Sequence, residues 1–396
     1  MTDLLNPGFG LAAMLIALAT AFVASRWLSV QTGGRNVPLD GLRGYMAFGV
    51  FVYHSVIWYD YLRTGAWGLP PASVYRPVGD LCVKVFFMIT AYLFVGKIID
   101  AKRRPIDWLA LFVSRVLRLT PLYLVAMLVL VAMTGVLTQW KLQEPVGALV
   151  DHVGHWVAFT MLDAPDINRL HDTWPLIAGV TWTLGYEWLF YLSLPLLALV
   201  LRRRVPVAAV VICTAVVVWL VSIKPDVFMP WSFVSGAAAA VLARTPSIAA
   251  RLRGRGAAIV VVAAVAWALF AQTVGPAKAL TMVALIVGFL PIACGNPVFG
   301  ILTNRAALLL GEASYGIYLL HGLLLSLTFE LIVGTSVAKT LTPAQHWALV
   351  AGVGIVLVLV TCVTFRLIER PAMQSAHRVT SWLAGIGSTL ARRQKA

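Results

Sequence analysis

Eleven apolar runs, separated by polar breaks, constrain this chain more than any other feature. They fall at about 9–29, 41–59, 78–98, 118–139, 177–200, 206–223, 228–243, 257–274, 279–293, 307–333 and 346–366. A hydrocarbon core about 30 Å thick takes about 20 apolar residues per helix, so each run reads as a transmembrane span. With 60% hydrophobic and 12% charged residues, a water-soluble globule is excluded. The expected fold is all-α, a polytopic helix bundle of about 11 spans. The first run reads as a retained helix, because the residues before it contain Asp3 and no basic side chain, whereas a signal peptide needs a positive leading segment.

The net charge of +15 would suggest a nucleic-acid partner in a soluble protein. Here its distribution gives another meaning. With eleven spans, 23 of the 31 Lys and Arg residues fall on one side and seven on the other, with Lys84 inside a span. The basic side is the cytoplasmic one by the positive-inside rule. The N-terminus is therefore expected outside and the C-terminus inside, and nucleic acid need not be invoked. Cys82, Cys213, Cys294 and Cys362 lie far apart in or beside apolar runs and read as small packing residues. His152 and His155, three apart in the long 140–176 connection, lack a carboxylate at fitting spacing, so no metal site is expected. Residues 371–396 place Trp382, Leu383, Ile386 and Leu390 among basic and small residues, the pattern of a helix lying on the inner surface.

Ionisable groups within spans are costly and mark function. In the second run Arg43 and His54 are eleven residues apart, which returns a helix to within about 20° of its starting face after about 16 Å. Asp40 joins that sector. Arg43 either snorkels to headgroups or binds an anion. Glu187 sits in the middle of the fifth run, with Thr183 and Tyr191 four residues away on the same face; it must be paired with a cation or protonated. Ser314, Tyr318 and His321 share a face of the tenth run, lining a cavity or joining helices by hydrogen bonds. Arg115 and Arg118 enter the fourth run and, with Arg43, Arg103, Arg104 and Arg370, form a basic inner mouth whose guanidinium forks suit phosphate. Lys84, four residues after Asp80, either pairs with it or reaches the interface. The aromatic residues Trp58, Tyr59, Tyr61, Trp67, Tyr75, Trp140, Trp156 and Trp174 read as an interfacial belt or as platforms for sugars.

In order along the chain, these segments resemble the acyltransferase-3 family of integral membrane acyltransferases. The similarity is carried by Leu39-Asp40-Gly41-Leu42-Arg43-Gly44 with His54, Phe86-Phe87-Met88-Ile89-Thr90-Ala91-Tyr92-Leu93 and Arg115-x-x-Arg118-Leu119-x-Pro121-x-Tyr123. Trp182-Thr183-Leu184-x-x-Glu187-x-x-Phe190-Tyr191 with Pro195, Ser314-Tyr315-x-x-Tyr318-Leu319-x-His321 and Glu369-Arg370-Pro371 complete it. Thr90-Ala91 replaces the usual Ser-Gly, and Lys84 stands where many members are acidic.

The resemblance implies a ten-helix core, here spans two to eleven within 37–371. An extra N-terminal helix with its linker (1–36) precedes it, and a basic amphipathic cytoplasmic tail (372–396) follows. It also implies transfer of an acyl group, usually acetyl, from cytoplasmic acyl-coenzyme A, a substrate rather than a tightly bound cofactor, to a hydroxyl of a cell-envelope or secreted carbohydrate or a lipid-linked glycan. The membrane would be the plasma (inner) membrane. Arg43, Arg115 and Arg118, with Asp40 beside them, would hold the donor phosphates. His54 would act as general base, with Glu187 orienting an imidazole or binding the sugar, Tyr318 or Ser314 polarising the thioester and His321 as a second acid/base group. No separate esterase-like domain is expected after Pro371. Two other classes fit the buried charges: a transporter or flippase of a lipid-linked glycan, using Glu187, His54 and His321 as a proton relay, and a scaffold for a polysaccharide synthase.

Overall fold

The computed structural model describes residues 4–28, 36–101, 105–201, 205–223, 230–270 and 276–393. Among them every regular element is helical. In chain order these are α1 (Pro7–Ala24), α2 (Val37–Thr64), α3 (Val78–Asp100), α4 (Trp108–Leu137), α5 (Val146–Val157), α6 (Thr173–Leu176), α7 (Trp182–Val200), α8 (Val207–Ile223) and α9 (Pro230–Leu242). They continue as α10 (Pro246–Leu252), α11 (Arg255–Phe270), α12 (Pro276–Ala293), α13 (Arg305–Glu312), α14 (Ser314–Ser326), α15 (Thr335–Ala338), α16 (Pro343–Thr364), α17 (Arg370–Gln374) and α18 (Ala376–Arg393).

Six helices among the described residues are long and apolar enough to cross a membrane, or seven if the pair Trp231–Leu242 and Pro246–Leu252, bent by 106°, is taken as one span. The protein is thus a membrane helix bundle. Where eleven spans were expected, several runs resolve differently. α2 has 28 residues but falls outside the six by composition, because Asp40, Arg43, His54 and four tyrosines interrupt its apolar residues. The 177–200 run becomes helical only at Trp182, after a turn in which Ala178 (φ 51°) and Gly179 (φ 63°) are left-handed. The 307–333 run is two helices, α13 and α14, parted at Ala313. The 206–223, 257–274 and 279–293 runs supply only shorter apolar helices among the described residues, and parts of 228–243 and 257–274 lie outside them. Of the basic residues sorted above, Arg35, Lys102, Arg103, Arg104, Arg202 to Arg204, Lys224 and Lys395 also lie outside the described residues. For Lys278, Arg392 and Arg393 only the backbone is described.

Helix ends follow local chemistry. Asp107 caps α4, its carboxylate accepting from Ala110 N at 2.9 Å, and Thr342 with Gln345 forms a capping box before α16, each satisfying donors that a helix start leaves unpaired. α1 is integrated into the bundle: Phe9 stacks on Trp347 at 6.0 Å, Trp347 donates to Leu4 O and Tyr75 accepts from Gly10 N.

α2 is the central element, packed against α1, α3, α13 and α14. Its crossing with α13 depends on absent side chains. A Cβ on Gly41 would lie 1.9 Å from Leu302 O, and one on Gly311 would lie 2.0 Å from Asp40 O. Backbone therefore meets backbone there, as small residues allow between membrane helices. This close approach fixes Asp40 and Arg43 beside the start of α14. The chain leaves α14 through a π turn, with Val333 N bonded to Thr328 O at 2.8 Å. A second π turn, Phe365–Glu369, ends α16. Insertions of this kind recur at functional sites.

Candidate functional site

A cavity of about 690 Å³ opens between the start of α2, the end of α3, the start of α4, the first half of α7 and the start of α14. Among the residues expected to act, Asp40, Arg43, Arg115, Arg118, Glu187, Ser314 and Tyr318 line it. Helical period accounts for this gathering: Asp40 and Arg43 lie one turn apart on α2, Thr183, Glu187 and Tyr191 follow one face of α7, and Ser314 and Tyr318 follow one face of α14. Arg370 also lines the cavity, whereas Arg103 and Arg104 lie outside the described residues.

The cationic side chains are weakly satisfied by protein. Arg43 has no ion-pair partner among the described residues. Arg118 donates to Met373 Sδ at 3.2 Å, a poor acceptor. Arg115 lies over the Phe94 ring, 5.2 Å from its centroid, and its Nε is 3.4 Å from Ser114 Oγ. Among the described residues Ser314 Oγ is buried without a hydrogen-bond partner, and so are both carboxylate oxygens of Glu369, which is 0% exposed. Guanidinium groups facing a cavity without matching carboxylates are suited to hold an anionic ligand.

Glu187 differs from expectation. It accepts a hydrogen bond from Tyr191 OH, one turn along its own helix. It orients no imidazole and makes no salt bridge among the described residues, because α7 presents it to the cavity rather than to α2.

The imidazoles pair with each other. His54 and His321 do not line the cavity; they lie beyond Tyr318, whose ring centroid is 6.2 Å from that of His321. Tyr318 is held by Thr183, hydroxyl to hydroxyl at 2.8 Å, and lies 3.2 Å from Val180 O, so it forms the wall between the cavity and the histidines. His321 Nδ1 is 3.0 Å from Ile317 O. A carbonyl only accepts, so this nitrogen carries the proton and Nε2 of the neutral ring is the acceptor. His54 Nδ1, 3.0 Å from His321 Nε2 and 3.1 Å from Val50 O, is then the donor to both. These partners assign the tautomer and leave His54 Nε2 with a free lone pair, the state of a base. On its other face His54 stacks against Trp67, 6.2 Å between centroids.

The remaining candidates are structural. Lys84 pairs with Asp80 at 2.5 Å, His152 with the buried Glu144 at 3.1 Å, and His155 with Asp163. The Asp163 hydrogen bond raises the His155 pKa above its ordinary 6.5. Trp58 and Trp156 are fully buried, which makes them core residues rather than a belt at an interface. Two groups, Lys97 in the cavity and Glu369 beside its lining residue Arg370, escaped sequence reasoning. Glu369 was visible only as part of a closing motif, and Lys97 only as one positive charge among many, although it lines the cavity.

The family model described as an acyltransferase domain, Acyl_transf_3, matches residues 36–367. The chain belongs to the acyltransferase-3 family. No curated protein matches it, nor does any solved structure. As an acyltransferase-3 member the protein is an enzyme that transfers acyl groups, and the matched span contains every cavity and histidine residue named above except Glu369, Arg370 and Met373. Membership decides between the enzymatic and transport readings of the buried charges.

Proposed function

We propose that this acyltransferase moves an acyl group, acetyl in the first instance, from cytoplasmic acyl-coenzyme A to a hydroxyl of a cell-envelope or secreted carbohydrate, a lipid-linked glycan included. The observation that carries the donor assignment is Arg43, lining the cavity beside Arg118 with no ion-pair partner among the described residues. Bidentate guanidinium groups fit phosphate oxygens, and Tyr318 lines the same cavity, where the pantetheine arm would end. The enzyme lies in the plasma membrane with its N-terminus outside and its C-terminus, close to the cavity mouth through Met373 and Gln374, inside.

In the reaction His54 Nε2 takes the proton of the acceptor hydroxyl as its oxygen attacks the thioester carbonyl. The C–S bond breaks, and the sulfur leaves as the thiol with the proton returned from His54. His321 holds His54 in the required tautomer. Tyr318, whose ring centroid lies 6.2 Å from that of His321, donates to the carbonyl oxygen as charge develops on it, while Ser314, further back on the same face of α14, lines the path of the donor. Tyr318 must release Thr183 for the thioester to reach His54.

Purified protein supplied with acetyl-coenzyme A tests this reading. Wild type is expected to release free coenzyme A, and His54→Ala is expected to lose that activity; equal rates would refute it. Mass spectrometry of envelope glycans from a deletion strain is expected to show a missing acetyl increment, and a missing succinyl increment would reassign the acyl group.

A further inference from the structure

The face of α2 that carries Arg43 and His54 continues past His54 through Trp58 and Tyr61, four and seven residues further along the helix. One side chain touches all three. The Trp67 ring lies 6.2 Å from the His54 ring at an interplanar angle of 15°, and meets Trp58 and Tyr61 in T-shaped contacts at 5.7 and 5.4 Å. It belongs to a connection that otherwise turns away from the protein: from Arg63 to Leu69 every residue except Trp67 is exposed. Local chemistry brings it back. Gly65 ends α2 in the left-handed conformation, φ 70°, with its N–H bonded to Tyr61 O, a chain-reversing cap that glycine adopts without strain.

A ring that merely fills space completes the hydrogen bonds of the groups under it. Here they are incomplete. Trp58, packed on Trp67, is 0% exposed, and its indole Nε1 has no hydrogen-bond partner, a donor that an oxygen of a ligand would satisfy. Tyr61 holds the Asp172 carboxylate at 3.2 Å, which puts polar atoms at the rim of the same aromatic group.

His54 cannot itself tell an acceptor hydroxyl from water. With water as nucleophile, its oxygen would bond to the thioester carbonyl carbon, the C–S bond would break, His54 would carry one proton to the sulfur, and acetate and a second proton would leave. A transferase therefore has to keep water off its base.

We propose that Trp67 is the cover that makes this enzyme choose an acceptor over water. Without acceptor it lies on His54; a sugar ring of the acceptor pushes it aside and stacks on its face, one hydroxyl reaching His54 Nε2 and another oxygen meeting Trp58 Nε1. This rests on the reading of His54 as base and acyl-coenzyme A as donor.

The test follows coenzyme A release from acetyl-coenzyme A without acceptor, using the full-length protein in lipid nanodiscs, and the acetyl increment of envelope glycans in a deletion strain carrying each variant. Trp67→Ala is expected to raise acceptor-free release by about tenfold and to lower the acetyl increment. Adding His54→Ala is expected to remove the extra release. Trp67→Phe, which keeps a flat ring, is expected to restore wild-type behaviour in both measurements, and Leu69→Ala, on the same connection, to leave both unchanged. Calorimetric coenzyme A binding equal to wild type shows that a variant is folded. Should Trp67→Ala lose that binding, Gly65→Ala, which burdens the turn that returns Trp67, decides instead and is expected to give the same rise to a smaller extent. Acceptor-free release that stays constant, falls together with transfer, or persists without His54 overturns the cover. If wild type binds no coenzyme A, the donor reading itself falls, an outcome distinct from intact binding with unchanged release.

Discussion

Charged groups at the two ends of the bundle are matched to different degrees. At the end carrying the α2–α3 and α4–α7 connections they are matched: Lys84 to Asp80, His152 to Glu144, His155 to Asp163, and Arg63 to the carbonyls of Tyr59 and Leu341. At the cavity end Arg244 is matched to Asp100, yet among the described residues Arg43 lacks an ion-pair partner, Arg118 donates to a thioether and neither carboxylate oxygen of Glu369 is hydrogen-bonded. Burying unmatched polar groups costs stability, so a fold that leaves them at one end while pairing them at the other keeps that end for a ligand. Matched charges here describe architecture; unmatched ones describe chemistry.

That contrast is broken or sharpened by substitution, in order of expected effect. His54→Ala removes the base and is expected to lower the rate of acyl transfer by about 10²–10⁴-fold, with donor binding unchanged by calorimetry. A loss of donor binding instead would place His54 in the anion site. Arg43→Ala removes a charged hydrogen-bond donor and is expected to raise the donor KM by about 10–100-fold, the equivalent of one charge-assisted bond, with a smaller effect on kcat; a kcat effect alone would contradict a binding role. Asp80→Asn breaks a matched, partly exposed pair. It is expected to cost less than about 1 kcal/mol in thermal unfolding and to leave turnover unaltered, so a catalytic defect would erase the distinction between the two ends.

The smallest effect concerns pH. The His155 pKa is raised in the folded state by its hydrogen bond to Asp163, so protonated His155 favours folding. That contribution is complete below the ordinary value of 6.5 and fades as pH climbs through the raised one. Asp163→Asn should therefore lower the melting temperature in mildly acidic buffer and have no effect at alkaline pH. A difference that grew with pH would show that the pair acts in some other way.

Within a single helix the sequence was a good guide. Arg43 with Asp40, Glu187 with Thr183 and Tyr191, and Ser314 with Tyr318 lie where a period of 3.6 residues puts them, and all line one cavity. Relations between helices were legible only in part. Nothing in spacing pairs His54 with His321, 267 positions away, and the partner imagined for an imidazole, Glu187, turned out to be bonded within its own helix. Glu369 reaches the cavity region because a π turn ends α16, a local insertion that leaves no compositional trace. The span count is likewise legible only in part, with six or seven of about eleven expected spans long and apolar enough among the described residues. Hydropathy along a run sees neither the break of 307–333 at Ala313 nor that the 206–223, 257–274 and 279–293 runs form only shorter apolar helices among the described residues.

Tyr318, hydroxyl to hydroxyl with Thr183, stands between the donor cavity, which it lines, and the histidine pair. A charge carried across the whole membrane exchanges about 2.3 kcal/mol per 100 mV with the field. On the proposed route the phosphates stop at the guanidinium groups, and the acyl group passes to the acceptor as the acceptor's proton passes to the thiol, an exchange that moves no net charge. The turnover of such an enzyme would be insensitive to how strongly its membrane is energised.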